Sequence, residues 1–195
     1  MHSPVPQTIL KLAGALAVVA AAFFITLKAL DYWGQSSTTL PQELGVNVAA
    51  LAHVSPGQTL DFANGQNSNV FLSGWSGPQE EGVWSDGHAA SISFVVNGAA
   101  GAGTPKRAIV RAKVFLGTAN EQRVQVWSGA QKLAEFDFKE NPVELAIPLD
   151  KINVGNGTPV ILAFNLPDAA SPAQLHIGVD RRTLGLFVMS LRLAP

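Results

Sequence analysis

The stretch V-F-L-S-G-W-S-G-P-Q-E-E-G-V-W-S-D-G-H-A-A-S-I-S-F-V-V, Val70 to Val96, decides how this chain is read. An apolar run (Val70 to Leu72) enters a tight polar segment. An alternating run (Ala89 to Val96) leaves it, with Ile92, Phe94 and Val96 on one face. Apolar runs broken by turn chemistry predict short strands on either side of a braced loop. Gly74, Gly77, Gly82 and Gly87 permit backbone angles that other residues avoid, and Pro78 fixes one more. Two of the four Trp residues, Trp75 and Trp84, sit in this loop. Rings held there either plug the open end of a β-sandwich or offer a flat face to a sugar.

Outward from this stretch the pattern repeats. Towards the N-terminus, Val46 to Val54, Thr59 to Ala63 and Asn69 to Leu72 read as short strands, the last two separated by the turn cluster N-G-Q-N-S-N. Towards the C-terminus, strands are predicted over Ala108 to Leu116, Gln122 to Trp127 and Lys132 to Phe138, then Val143 to Leu149 and Val160 to Leu166. Leu175 to Val179 and Leu184 to Leu193 complete the set. In the second of these strands Val124 and Val126 face away from Arg123, Gln125 and Trp127. In the third, Leu133, Glu135 and Asp137 lie opposite Ala134, Phe136 and Phe138. Many short runs joined by turns predict an all-β fold, a jelly-roll-like antiparallel β-sandwich.

Composition agrees. With 47% apolar residues there is ample material for a core, and the 18 Gly and 12 Pro suit a turn-rich fold. The 13 basic and 14 acidic residues nearly cancel, which argues against a nucleic-acid partner. Cysteine is absent, so neither disulfides nor thiolate metal sites are available. A sandwich of about 130 residues can be held by its core alone.

The N-terminus is of another kind. Residues 1–8 form a short tail. The run I-L-K-L-A-G-A-L-A-V-V-A-A-A-F-F-I-T-L-K-A-L, Ile9 to Leu30, is uncharged from Leu12 to Leu27. It reaches the roughly 20 residues that a spanning helix needs, with Lys11 and Lys28 able to snorkel from its ends. Tyr32 and Trp33 follow where interfacial aromatics belong. No small-x-small cleavage site follows, so 9–33 reads as an uncleaved transmembrane anchor and not as a signal peptide. The positive-inside rule directs the N-terminus to the cytoplasm and the rest outside. Ala13, Ala17 and Ala21, with Gly14 beside them, either form a stripe that lets another membrane helix approach, or reflect how common Ala is in anchors. Residues 34–44 read as a polar linker and 45–195 as the extracytoplasmic domain.

G-W-S-G-P-Q-E-E-G-V-W-S-D-G, about a hundred residues before S-P-A-Q-L-H-I-G-V-D-R-R-T-L-G-L, resembles a β-sandwich module of bacterial envelope-glycan enzymes. The module is found outside the membrane, appended to glycosyltransferases and phosphoglycerol transferases. The resemblance covers Gln58 to Leu193. Gly74, Trp75, Ser76, Pro78, Gly82, Trp84 and Ser85 fall on the first motif, and Ser171, Pro172, Asp180, Arg181 and Leu184-Gly185 on the second. The chain departs from the family at Gln79, where an acid is usual, and at Glu81, where an aromatic is usual. The resemblance implies a noncatalytic, carbohydrate-binding-like domain beside a polysaccharide or glycolipid synthase. Without the large enzyme portion, it implies an accessory subunit acting in trans, in the bacterial inner membrane with its domain periplasmic. Its partners would be a polytopic glycosyltransferase, reached through the helix, and the nascent glycan. A free-standing tethered carbohydrate-binding protein and a purely structural assembly protein are the alternatives.

Sugar binding needs an aromatic face and planar polar groups. Trp75, Trp84, Gln79, Glu80, Asp86 and His88 can supply them from one loop, and Trp127 from the polar face of its strand. Asp180, Arg181 and Arg182 read either as a buried clamp on the first motif or as an Arg fork for phosphate or a uronic carboxylate. Catalysis is not expected. Glu80 and Glu81 are adjacent and cannot straddle a glycosidic bond. Ser85, Asp86 and His88 lack the G-x-S-x-G elbow. His2, His53, His88 and His176 lack metal-ligand spacing, so no metal and no cofactor is assigned, although a calcium ion on loop carbonyls suits such a fold.

Overall fold

The computed structural model describes residues 50–98, 103–155 and 157–195. The expected anchor, its Ala stripe and the linker lie outside these residues. Among the described residues no helix is long and apolar enough to cross a membrane.

Eleven strands are present among the described residues. They are β1 (Ala52–Val54), β2 (Thr59–Asp61), β3 (Phe71–Ser73), β4 (Val83–Trp84), β5 (Ala89–Val96), β6 (Arg107–Val114), β7 (Gln122–Ser128), β8 (Gln131–Phe138), β9 (Val143–Pro148), β10 (Pro159–Asn165) and β11 (Leu186–Ala194). One sheet has the order β1-β5-β10-β7-β8, with β3 also on β5; the other has β2-β11-β6-β9, with β4 also on β11. Each long strand lines one shared core by alternation. Ile92 and Phe94 of β5, Val124 and Val126 of β7, and Leu162 and Phe164 of β10 meet Val110 and Ala112 of β6, Leu145 and Ile147 of β9, and Leu191 and Leu193 of β11. Two sheets over one apolar core make a β-sandwich.

The chain from β1 to β6 alternates between the sheets, one strand at a time. Strands of two or three residues cannot hold themselves. Each instead lies along an edge of a long neighbour, β1 and β3 end to end on β5, β2 and β4 end to end on β11. Short, broken edge strands also leave little free backbone for pairing with another molecule. Between them Phe62 and Val70 are almost wholly buried, so the crossovers themselves fill the core.

The expected strands are largely where alternation puts them, with four corrections. Pairing is antiparallel except at β1, which runs parallel to β5 with Ala52 opposite Phe94. Asn69 and Val70 lie in a 3-10 turn (Ser68–Val70), and strand geometry begins only at Phe71. In β8 the register slips between Val126 and Trp127, so that Ala134 faces Val126 while Lys132 faces Trp127. Leu133 is the extra residue, and it is buried beside Ala134 and Phe136 instead of turned away from them. Leu175 to Val179 is no strand. Leu175 N–H bonds the Ser171 carbonyl at 3.0 Å, Ile177 N–H bonds that of Pro172 at 3.0 Å, and His176 sits at φ 59°. These local bonds satisfy the backbone that a strand would have offered to a neighbour. Ile177 and Val179 are left exposed, at 57% and 95%.

Candidate functional site

Gly74 to Asp86 folds back on itself as an irregular hairpin. Ser76 N–H bonds the Trp84 carbonyl at 2.9 Å, Asp86 N–H that of Gly74 at 2.8 Å, and Gln79 N–H that of Gly82 at 2.8 Å. Trp75 bridges Ser85. The loop joins β3, on the edge of one sheet, to β4, on the edge of the other, with Gly74 against the Ala89 backbone of β5 and Gly82 against the Val188 backbone of β11.

The second motif locks onto this hairpin. Ser85 Oγ, buried, accepts the N–H groups of Gly185 at 3.2 Å and Leu186 at 3.0 Å. Asp86 Oδ1 accepts the Thr183 N–H at 3.0 Å, and Gly87 N–H bonds the Thr183 carbonyl at 2.8 Å. Arg182 grips the Asp180 carboxylate through Nε at 3.1 Å and Nη2 at 2.6 Å, and its Nη1 donates to Ser76 Oγ at 2.9 Å. The guanidinium beside it holds the Asp180 carboxyl below the usual carboxylate range. The clamp is therefore made by Asp180 and Arg182, and at 34% and 31% exposure it is half-open to solvent and not buried. Arg181 is exposed. The two motifs, a hundred positions apart, form one structural corner.

The two loop tryptophans part company. Trp75 points its indole N–H at the Ser91 carbonyl, 2.7 Å away, and joins an aromatic chain. Ring centroids run Phe62 to Phe71 at 4.9 Å, Phe71 to Trp75 at 5.0 Å and Trp75 to Phe164 at 6.1 Å. This chain packs Phe71 and Trp75 against the core residues Phe62 and Phe164. Trp84, in β4, packs on Phe187, its partner on β11 in the same sheet, centroids 5.0 Å apart. Trp127 is on the outer face of the first sheet, under the Lys132 ammonium at 5.9 Å. Gln79 and Glu80 stand exposed in the hairpin turn, and Glu81 pairs with Lys113. His88 Nδ1 donates to the Leu166 carbonyl at 3.2 Å. No single loop platform gathers all six loop candidates.

What the corner does form is an open cleft of about 320 Å³. Trp75 lines it with Phe71, Pro78, Ser68, Ser73 and Ser76. Aromatic rings and hydroxyls are groups of the kind that contact sugars, with Ser73 Oγ here already paired to Ser91 Oγ at 2.8 Å and Ser76 Oγ accepting from Arg182 at 2.9 Å. Phe71, Ser68 and Ser73 were absent from the sequence-level candidates. Phe71 sat in an apolar run that reads as core, and nothing local marks it as a wall. The Ser85 hydroxyl is buried and occupied, which leaves it unfit as a nucleophile. Among the described residues no three His, Asp or Glu side chains cluster to hold a metal ion. No protein-family model matches the chain, and no curated protein matches it.

Proposed function

We propose that this chain is a membrane-anchored, noncatalytic accessory subunit of a bacterial polysaccharide synthase that makes an exopolysaccharide or another envelope glycan. Its helix, 9–33, holds it in the inner membrane with the N-terminus in the cytoplasm. The helix docks on a polytopic glycosyltransferase through Ala13, Gly14, Ala17 and Ala21. Its β-domain, jelly-roll-like in the way its first strands alternate between sheets, sits in the periplasm where the glycan emerges and guides the chain or braces the complex.

One observation supports this reading above the others. The two stretches that carry the resemblance interlock through Ser76–Arg182, Ser85–Leu186 and Asp86–Thr183, beside an open cleft lined by Phe71, Trp75 and serines. The polar groups of the corner are spent on one another, which suits a brace and leaves no general acid or base aimed into the cleft.

Mild-detergent purification of the full-length protein, with mass spectrometry of what accompanies it, tests the proposal. A glycosyltransferase recovered with the native helix, and lost when Ala13, Ala17 and Ala21 are changed to Leu, is the expected result. A protein that purifies alone in both forms overturns the subunit reading.

A further inference from the structure

The outer face of the β5-β10-β7-β8 sheet carries a second pattern, remote in sequence from the loop cleft. Register places Ala89, Asn165, Gln125 and Glu135 in one row across four strands. The next row holds Ser91, Ala163, Trp127 and Lys132. Val126 and Phe164 point into the core from the intervening positions, so both rows face outward.

The first row is a chain of planar polar groups. Asn165 Nδ2 donates to Gln125 Oε1 at 2.9 Å, and Gln125 Nε2 donates to Glu135 Oε1 at 3.0 Å. Glu135 also pairs with Lys132, whose ammonium lies over one face of Trp127. Directly opposite Trp127 stands Ala163, with Ser91 beyond it. Small side chains there leave room beside the partly exposed indole. The sheet thus holds one partly exposed aromatic ring, a floor of small side chains beside it and a hydrogen-bonded amide-carboxylate row next to it. Two strand spacings of about 4.8 Å separate Asn165 from Glu135, a span of about 10 Å.

We infer that this face is a glycan-contact surface in its own right, on which a neutral sugar ring stacks against Trp127 while Asn165, Gln125 and Glu135 bond its hydroxyls. The charges decide the ligand class. Lys132 is matched by Glu135, and Arg123 by Asp168 in a two-point pair at 2.8 and 2.9 Å. Among the described residues no cation is left over on this patch for a phosphate or uronate. That the ligand is a glycan rests on the reading above and that it is neutral rests on these charges, while its place rests on Trp127, Asn165, Gln125 and Glu135, none of which lines the loop cleft.

The test is calorimetric titration of the full-length protein, in a detergent without a sugar headgroup, with cellopentaose and with a pentamer of galacturonate. Cellopentaose is expected to bind and galacturonate to bind at least tenfold more weakly. Trp127→Ala should weaken cellopentaose at least tenfold. Ala163→Leu, which keeps the ring but fills the floor beside it, should do the same with an unchanged circular dichroism spectrum and melting temperature. Ser68→Tyr, which fills the loop cleft, should leave the affinity within twofold. Loss of binding in Ser68→Tyr with retention in Ala163→Leu moves the sugar to the cleft and overturns the inference, as does tighter binding of galacturonate. No binding of either pentamer also overturns it, while the subunit reading then stands or falls separately on co-purification.

Discussion

Gly82 and Gly77 lie five positions apart in the same loop and are required for different reasons, or not at all. A Cβ built on Gly82 would stand 2.1 Å from the Val188 carbonyl oxygen, inside any possible contact with a backbone that cannot yield. A Cβ on Gly77 meets nothing within 4 Å, and its φ is not left-handed. Gly82→Ala is therefore expected to cost about 3 kcal/mol, the top of the usual range for forced overpacking. Gly77→Ala should be neutral or stabilise by up to about 1 kcal/mol, through the unfolded chain. Urea denaturation midpoints of the two variants decide the matter, and equal midpoints would mean that the hairpin does not lie against β11. In the sequence, these glycines look alike. Gly74 and Gly87, at φ 75° and 120°, do serve the backbone freedom that a Gly-rich loop suggests. Gly82 serves close approach to a strand a hundred residues away, and no local pattern announces that. The Asp180 clamp was legible for a similar reason turned round: three adjacent charges are conspicuous, but only the fold selects Arg182 over Arg181.

Among the elements, period-two alternation located the long strands because one face of each is buried against the other sheet. β5 was readable end to end, and Val124 and Val126 face the core as their spacing requires. Alternation fails where something non-local intervenes. At β8 the bulge brings Leu133 inward, against the face that strict alternation assigns it. At Leu175 to Val179 the right pattern exists without a neighbouring strand to pair with. These two failures predict opposite mutational outcomes. Leu133→Ala should cost about 2–4 kcal/mol, as for a buried Leu whose site cannot collapse. Val179→Ser should lie within about 0.5 kcal/mol of the parent, because its side chain is already in water. Thermal or urea unfolding of the two variants checks both. A costly Val179→Ser would show that the loop packs on something and would restore weight to the strand reading.

At the scale of the whole molecule, the corner ties the last strand of one sheet to the loop that enters the other. Asp180 and Arg182 sit at its rim, with Arg182 reaching across to Ser76. The stability this clamp contributes follows the ionisation of Asp180. Its carboxyl is held below its ordinary value first by the Arg182 side chain and then by the Arg182 backbone N–H. A depressed carboxylate stabilises the fold in full above its unfolded pKa of about 3.9. The contribution fades as pH falls from there through the lower folded value. The pair is half-exposed and screened by solvent, so the effect is about 1 kcal/mol or less, or about 2–4 °C in a domain of this size. Asp180→Asn should therefore melt below the parent by that margin at pH 7 and pH 5. The gap should narrow below about pH 4 and close once Asp180 is protonated in both states. Asp168 and Glu135 are also depressed, by Arg123 and Lys132 respectively, and both chains carry them unchanged. The difference between parent and variant thus isolates the clamp from general acid destabilisation. A gap absent at pH 7, or constant down to pH 2, would mean that Asp180 and Arg182 do not hold the corner through charge. The lock would then rest on the buried Ser85 hydroxyl and on the backbone bonds around Thr183.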